Sequence, residues 1–173
     1  HELAHQLLYV KDDTVFNESF ATVVEQIGLG RWLDAYGSDA DRQRVRQLQR
    51  FRNDFRTLVT RTRSELAALY AGAGTVQEKR QRKAELFAAL RRAYEAQRVG
   101  WEGFAGYDRW FAQPLGNAHL ASVAIYTQRV PAFETLFVRN GNDLQRFYAA
   151  VRDLAALPPA ERNRQLDALA PSH

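Results

Sequence analysis

The chain has 173 residues, of which 46% are hydrophobic and 25% are charged, and it contains neither cysteine nor methionine. This length and apolar content suffice for one or two domains with a buried core, and the absence of cysteine excludes disulfide bonds and a thiolate zinc site. No stretch is long and apolar enough to predict a membrane-spanning helix. The formal net charge is only +4, so its distribution along the chain is more informative than its sum.

Residues 1–10 form the first predicted helix, which opens with the sequence His-Glu-Leu-Ala-His. His1 and His5 lie one turn apart on one face, so both imidazoles can reach a single metal ion. Glu2 is offset from this face and can reach a metal-bound water without being a ligand. The other residues are mainly apolar: Leu3, Ala4, Leu7 and Leu8. We therefore expect a buried helix, in which a metal gives both rings a partner.

A second helix is predicted over residues 15–27. Asp13 or Thr14 can cap its start, since either side chain can accept a hydrogen bond from the first turn. We expect Gly28 and Gly30 to stop this helix and to separate it from a short piece that follows.

Glu18 on the second helix is the predicted third ligand. Two histidines and one glutamate, with the fourth position left to water, are the catalytic rather than the structural arrangement of zinc. Glu25 lies on the same face and can hydrogen-bond the far nitrogen of a liganding histidine. It is equally well interpreted as a solvent-facing residue, or as the ligand if Glu18 points away. Asn17 is expected to hold the local backbone or a ligand in place.

The two motifs, His-Glu-Leu-Ala-His-Gln at 1–6 and Phe-Asn-Glu-Ser-Phe-Ala at 16–21, resemble those of a zinc-dependent aminopeptidase family of proteobacteria. The second motif is also similar to the Asn-Glu-Gly-Phe-Ala of larger gluzincin aminopeptidases. Only twelve residues separate His5 from Glu18 here, so the connecting turn must be tight. Further similarity to the family lies at Gly106-Tyr107-Asp108, Asn117-Ala118, Tyr126 and Pro131-Ala132-Phe133.

The resemblance implies a peptide substrate, Zn²⁺ as the cofactor, and hydrolysis of N-terminal peptide bonds. It also implies a location in the bacterial cell envelope or periplasm, with a lipid anchor in the full-length protein. In zincin folds a sheet upstream of the histidine motif holds the substrate. Because this chain begins on the first predicted ligand, we expect it to be the C-terminal part of a longer protein.

The residues support zinc-assisted hydrolysis with Glu2 as the general base, which takes a proton from water and passes it to the leaving amine. The tetrahedral oxyanion needs a further donor, for which Tyr126 and His119 are the candidates. Two alternatives remain: a zinc endopeptidase with a regulatory or quality-control role, and a non-catalytic scaffold that acts through the basic helical hairpin of residues 38–99 and has a vestigial metal site. An intact Glu2 argues against the scaffold.

Residues 38–99 are predicted to form a long antiparallel helical hairpin. From Asp39 to Ala71 there is neither proline nor glycine, and Ser38 is the expected cap. Apolar residues recur along one seam: Val45, Leu48, Phe55, Val59, Leu66 and Leu69. Gly72-Ala73-Gly74 breaks this helix. Thr75-Val76-Gln77-Glu78 is then a capping box that opens a second helix, which extends to about Val99.

The hairpin concentrates the positive charge. From Ser38 to Arg98 there are fifteen basic and seven acidic residues, a net of +8, whereas the remainder carries a net of −4. The hairpin can be a solvated coiled coil, or a contact for an anionic membrane surface or an acidic partner. Nucleic acid is not expected, because no binding module accompanies the charge. The oligomeric state cannot be read from the sequence.

Residues 100–173 form the third predicted part, a C-terminal helical bundle that packs on the helices of residues 1–37. Its first segment interleaves glycine with aromatic residues and is either a pocket wall or an aromatic anchor. Helices are predicted over 118–128, 131–139, 144–157 and 159–170, with caps at Asn117 and Asp143 and with Pro131 and Pro158-Pro159 at helix starts. The predicted fold is therefore all-α, without a strand in this chain.

Overall fold

The computed structural model describes residues 1–170, and every regular element among them is helical, which confirms the predicted fold class. The elements are α1 (Glu2–Leu7), α2 (Thr14–Tyr36), α3 (Asp39–Ala71), α4 (Val76–Arg98), a 3-10 turn (Val99–Trp101), α5 (Asp108–Ala112), α6 (Asn117–Ile125), α7 (Val130–Arg139), α8 (Leu144–Ala156) and α9 (Pro159–Leu169). No helix within residues 1–170 has the length and hydropathy needed to cross a bilayer.

The chain forms two compact units, which are described separately. Unit 1 comprises residues 1–37 together with the chain from Ala124 onward. Unit 2 comprises Ser38–Val123, so residues 100–123 belong to the same unit as the hairpin.

Helix starts follow the capping signals in the sequence. Asp13, rather than Thr14, caps α2, because its side chain accepts a hydrogen bond from the backbone N–H of Phe16 at 3.1 Å. Ser38 and Asp41 form a reciprocal capping box at the start of α3. The hydrogen bonds from the Ser38 hydroxyl and backbone N–H hold the pKa of the Asp41 carboxyl below its ordinary value.

The predicted break of α2 at Gly28 and Gly30 is wrong, since the helix continues to Tyr36. A glycine in a helix interior costs only about 0.5–1 kcal/mol, and Leu33, further along the helix, is buried. The helix ends at Gly37, where a Cβ would lie 2.7 Å from the Leu33 carbonyl oxygen. This close approach requires glycine at the helix end.

The core of unit 1 lies where α2 packs against the C-terminal helices. Phe16 and Phe20 of α2 contact Phe133 of α7, with ring centroids 5.1 and 6.1 Å apart, and Phe20 also contacts Phe147 of α8 at 6.0 Å. The other buried members of this core are Ala4, Ala21, Val23, Val130, Ala132, Val151, Leu154 and Leu166. The helices that carry the predicted ligands are thereby fixed to α7, α8 and α9.

The expectation that α1 is a buried apolar helix is wrong. Only Ala4 of this six-residue helix is buried, whereas Leu3 and Leu7 are 74% and 46% exposed. The side chain of His5 contacts α2, and the leucines point away from that contact because they lie on other faces of the helix. The histidines therefore approach α2 from a helix that is largely in solvent.

In unit 2, α3 and α4 form the predicted antiparallel hairpin. Thr75 and Glu78 make the predicted capping box at the start of α4. The buried residues of the two helices are Phe51, Phe55, Val59, Thr62 and Leu66 on α3, and Phe87, Leu90 and Tyr94 on α4. One apolar seam along each helix thus holds the hairpin together.

The aromatic segment after α4 packs onto the hairpin. The ring of Tyr107 stacks on Phe55 with a centroid separation of 4.0 Å, and Phe111 stacks on Tyr94 at 3.8 Å. Trp101 is buried. Within unit 2 these rings hold the segment against the hairpin.

Candidate metal centre

The predicted ligands His1, His5 and Glu18 come together in unit 1. One possible ligand atom from each residue lies within 4.8 Å of the other two. Glu18 Oε2 lies 3.0 Å from His1 Nε2, and Glu18 Oε1 lies 3.7 Å from His5 Nε2. Neighbouring helices therefore direct two imidazoles and a carboxylate to one place, which we call the metal-ligand cluster.

The chemistry of this cluster suits a cation. The three side chains are each between 19% and 25% exposed, so they are partly shielded from water but accessible. Imidazole lone pairs and a carboxylate repel each other unless a proton or a metal ion lies between them. Two nitrogens and one carboxylate oxygen are a zinc donor set, whereas magnesium and calcium prefer oxygen ligands. The residues present therefore fit zinc.

Glu25 lies seven residues, about two turns, further along the same side of α2 and contacts the other ring nitrogen of His1. Its Oε2 lies 3.2 Å from His1 Nδ1. A proton on Nδ1, donated to Glu25, leaves the Nε2 lone pair for a metal. The Nδ1 atom of His5 differs, because it is buried without a hydrogen-bond partner among the described residues.

Asn17 fixes the α1–α2 turn, which we define as residues 8–13. Its amide oxygen accepts a hydrogen bond from the backbone N–H of Val10 at 2.9 Å, and its amide nitrogen donates to the Val10 carbonyl at 2.8 Å. Asp12 adopts a left-handed φ of 63°, which aspartate tolerates better than most residues. Because Asn17 directly precedes Glu18, these bonds set the position of that ligand relative to α1.

A contact that the sequence analysis missed joins the same turn to α9. Arg162 is 4% exposed, and its guanidinium donates to Asp13 Oδ2 from Nε at 3.0 Å and from Nη2 at 2.8 Å. Its Nη1 donates to the Leu157 carbonyl at 2.9 Å. The two ion-pair partners are 149 residues apart in sequence, so no local pattern could have indicated the pairing.

The turn that follows α6 lies along α2 beside the cluster. The buried Ser19 hydroxyl accepts a hydrogen bond from the backbone N–H of Arg129 at 3.2 Å, and the Thr22 hydroxyl lies 3.5 Å from the Tyr126 carbonyl. Tyr126 itself is 48% exposed and lies just beyond α6, which ends at Ile125 rather than at the predicted residue 128. The structure thus places this predicted donor in the unit that holds the cluster.

The other two predicted catalytic residues differ in their surroundings. Glu2 follows His1 on α1 and is exposed. His119 lies on α6 within unit 2, where its Nδ1 accepts a hydrogen bond from the backbone N–H of Gly116 at 3.1 Å and its ring lies edge-on to Trp110. Their parts in catalysis remain predictions.

Two histidines one turn apart, with a glutamate from the next helix, are the donor set of a catalytic zinc centre. The comparison with protein families agrees with this class: the model of the family described as "Putative aminopeptidase" matches residues 1–166. The chain belongs to this family, whose description indicates a peptidase acting on peptides. No curated protein and no solved structure shows significant similarity to the chain.

Proposed function

We propose that the chain carries the metal centre of a zinc-dependent aminopeptidase that hydrolyses N-terminal peptide bonds. The observation that carries the proposal is the convergence of His1, His5 and Glu18 in a chain that belongs to an aminopeptidase family. When bound in such a site, zinc polarises the scissile carbonyl and lowers the pKa of a coordinated water. His1, His5 and Glu18 are the residues that would hold it.

Glu2 is the proposed general base. It lies next to His1 at the start of α1 and is exposed, so water can reach its carboxylate. Its role is to accept the proton of the attacking water and to pass it to the leaving amine. Glu25 is proposed to hold His1 in the correct tautomer through the 3.2 Å contact with Nδ1. The exposed phenol of Tyr126, which lies in the same unit as the cluster, is the proposed further donor to the oxyanion.

The test begins with the zinc stoichiometry of the full-length protein, beside Glu18→Gln and Glu2→Gln variants. We expect about one zinc per chain by analogy with three-ligand catalytic sites, strongly reduced occupancy in Glu18→Gln, and full occupancy without turnover in Glu2→Gln. Absence of zinc from the unmodified protein would contradict the proposal. Zinc retained in Glu18→Gln would instead show that another residue is the third ligand, either Glu25 or a residue outside this sequence.

The exopeptidase part of the proposal needs its own experiment. A peptide with a free α-amino group and its N-acetylated twin are compared as substrates. An aminopeptidase cleaves only the free peptide well, because it must recognise the amine. Comparable cleavage of the acetylated peptide would establish the alternative, a zinc endopeptidase.

A second function is favoured by the charge of α3. Between Arg42 and Arg63 there are eight arginines and one acidic residue, Asp54, whose carboxylate accepts a hydrogen bond from the Trp101 indole at 3.2 Å. Arg42 and Arg61 form ion pairs with Asp39 and Glu65, and Arg44 interacts electrostatically with Asp41. The other five form no ion pair with any residue in the described part of the chain: Arg46, Arg50, Arg52, Arg56 and Arg63. At 1.5 Å per residue they extend over roughly 25 Å of helix.

We infer that this surface of α3 contacts anionic phospholipid headgroups, for which arginine is a good bidentate partner. An envelope location of the full-length protein, expected from the family resemblance, would bring it close to such a surface. The test compares binding to vesicles with and without an anionic phospholipid. Each basic residue near the surface contributes about 1 kcal/mol, so a triple glutamine variant should bind about a hundredfold more weakly: Arg46→Gln, Arg50→Gln and Arg56→Gln.

A matched control removes the same charge from α4: Arg80→Gln, Arg82→Gln and Arg92→Gln. An equal loss in the control would show that only net charge matters, and would reject a specific role for α3. Stronger binding to an acidic polypeptide than to anionic vesicles would assign the surface to a protein partner.

A further inference from the structure

The ion pair between Arg162 and Asp13 lies away from the metal-ligand cluster but acts on the turn that connects its two helices. Asp13 uses both carboxylate oxygens: Oδ1 accepts the hydrogen bond from the Phe16 backbone that starts α2, and Oδ2 accepts two bonds from Arg162. The start of α2 at Thr14, four residues before Glu18, is therefore attached to α9.

Arg162 is built into unit 1 rather than lying on its surface. Besides the bonds to Asp13, its Nη1 donates to the carbonyls of Leu157 and Ala155, at 2.9 and 3.4 Å, and its guanidinium lies 5.5 Å from the centre of the Phe16 ring. A buried guanidinium with these fixed partners has little freedom to move. Arg162 therefore holds the turn in a fixed position relative to α9.

The two sides of the turn carry the two halves of the cluster. His1 and His5 lie before it on a short helix that is largely exposed, and Glu18 lies after it. The bonds from Asn17 to Val10 hold the turn together internally. Among residues 1–170, the Arg162–Asp13 pair is the one contact that connects an acidic side chain of the turn to a buried residue of another helix. Without this pair the cluster would have to lose more conformational freedom when it binds a metal.

We propose that Arg162 is a positioning residue, which acts through Asp13 to preorganise His5 and Glu18 for metal binding. This inference rests on the proposed zinc function. It is distinct from that function because Arg162 touches none of the three ligands.

The experiment measures the zinc affinity of the full-length protein by competition with a chromogenic chelator. Arg162→Lys keeps the charge but loses the two-nitrogen contact, and Asp13→Asn keeps the cap to Phe16 but weakens the pair. We expect each variant to bind zinc about tenfold more weakly, the lower end of the range for residues that orient ligands. Amide hydrogen exchange in residues 8–18 should also become faster in the metal-free protein.

The matched control is Asp167→Asn, which removes the carboxylate partner of Arg129 and so breaks another arginine–aspartate pair on α9. Zinc affinity should be unchanged in this variant. If Arg162 has a purely structural role, both test variants should have a lower melting temperature and an unchanged zinc affinity. That result would overturn this inference but leave the proposed zinc site intact. Absence of zinc binding by the unmodified protein would overturn the proposed function as well.

Discussion

Unit 1 and unit 2 are both helical, but different kinds of contact define them. In unit 2 the hairpin forms between helices that are adjacent in the chain, with capping boxes at Ser38 and Thr75 and a seam of apolar residues. In unit 1, α2 and its cap are held by residues more than a hundred positions later: Phe133, Arg129 and Arg162. Within residues 1–170 the metal-ligand cluster occurs in the unit that depends on distant contacts.

This difference is relevant to function. A metal site needs ligands from separate elements in a fixed geometry, and long-range contacts hold separate elements in register. The hairpin instead offers a long, regular surface, and the individual side chains along α3 determine its charge. Substitutions that weaken long-range contacts in unit 1 should therefore affect metal binding. Substitutions that weaken local contacts in unit 2 should instead affect the stability of the hairpin.

The largest effect is expected from the core of unit 1. Phe133 is 0% exposed and contacts both Phe16 and Phe20. Phe133→Ala should lower the free energy of unfolding by about 3–5 kcal/mol, because it removes buried surface and leaves a cavity. Denaturant unfolding measures this change. Val138→Ala on the same helix, where the side chain is 64% exposed, is the control and should change stability by less than about 1 kcal/mol.

The next effect concerns zinc affinity. Glu25→Ala should weaken zinc binding by about 10- to 100-fold, because it removes the acceptor that orients His1. Competition with a chelator measures the affinity. Asp34→Asn makes an equal change of charge at an exposed position of α2 and should leave the affinity unchanged. An unchanged affinity in Glu25→Ala would assign Glu25 to the solvent-facing role that the sequence also allowed.

Local signals made much of the fold predictable from the sequence. Caps and prolines located the starts of α3, α4, α7, α8 and α9 to within one or two residues, because these features act within one turn of the helix that they start. The predicted ligands also came from local spacing, since two residues four apart share a helix face whatever the rest of the chain does.

What the sequence could not predict depends on distant residues. The continuation of α2 through Gly28 and Gly30 follows from tertiary packing, which outweighs a small loss of helix propensity. The exposure of Leu3 and the burial of Arg162 depend on which face of a helix meets another element. The pairing of Arg162 with Asp13 joins residues 149 positions apart, for which one sequence carries no signal.

Alkaline pH should affect unit 2 through Tyr94. Burial, and then the hydrogen bond of its hydroxyl to Asp108, raise the pKa of Tyr94 well above the ordinary value of 10. Above pH 10 the unfolded state loses this proton while the folded state keeps it. The contribution of Tyr94 to the free energy of unfolding is therefore fully present below pH 10, and it falls by about 1.4 kcal/mol per pH unit above pH 10. Tyr94→Phe should remove this part of the slope in denaturant unfolding, whereas Tyr36→Phe, at a 78% exposed position, should not.

The smallest effect tests whether local signals really determine the hairpin. The Thr75 hydroxyl accepts a hydrogen bond from the Glu78 backbone at the start of α4, and Thr75→Ala should cost about 1 kcal/mol of unfolding free energy. Thr57→Ala is the matched control, because the Thr57 hydroxyl only bonds the carbonyl one turn back within α3 and alanine is the better helix former. We expect this control to be neutral or slightly stabilising. Equal destabilisation by both changes would show that tertiary contacts outweigh capping in unit 2 as they do along α2.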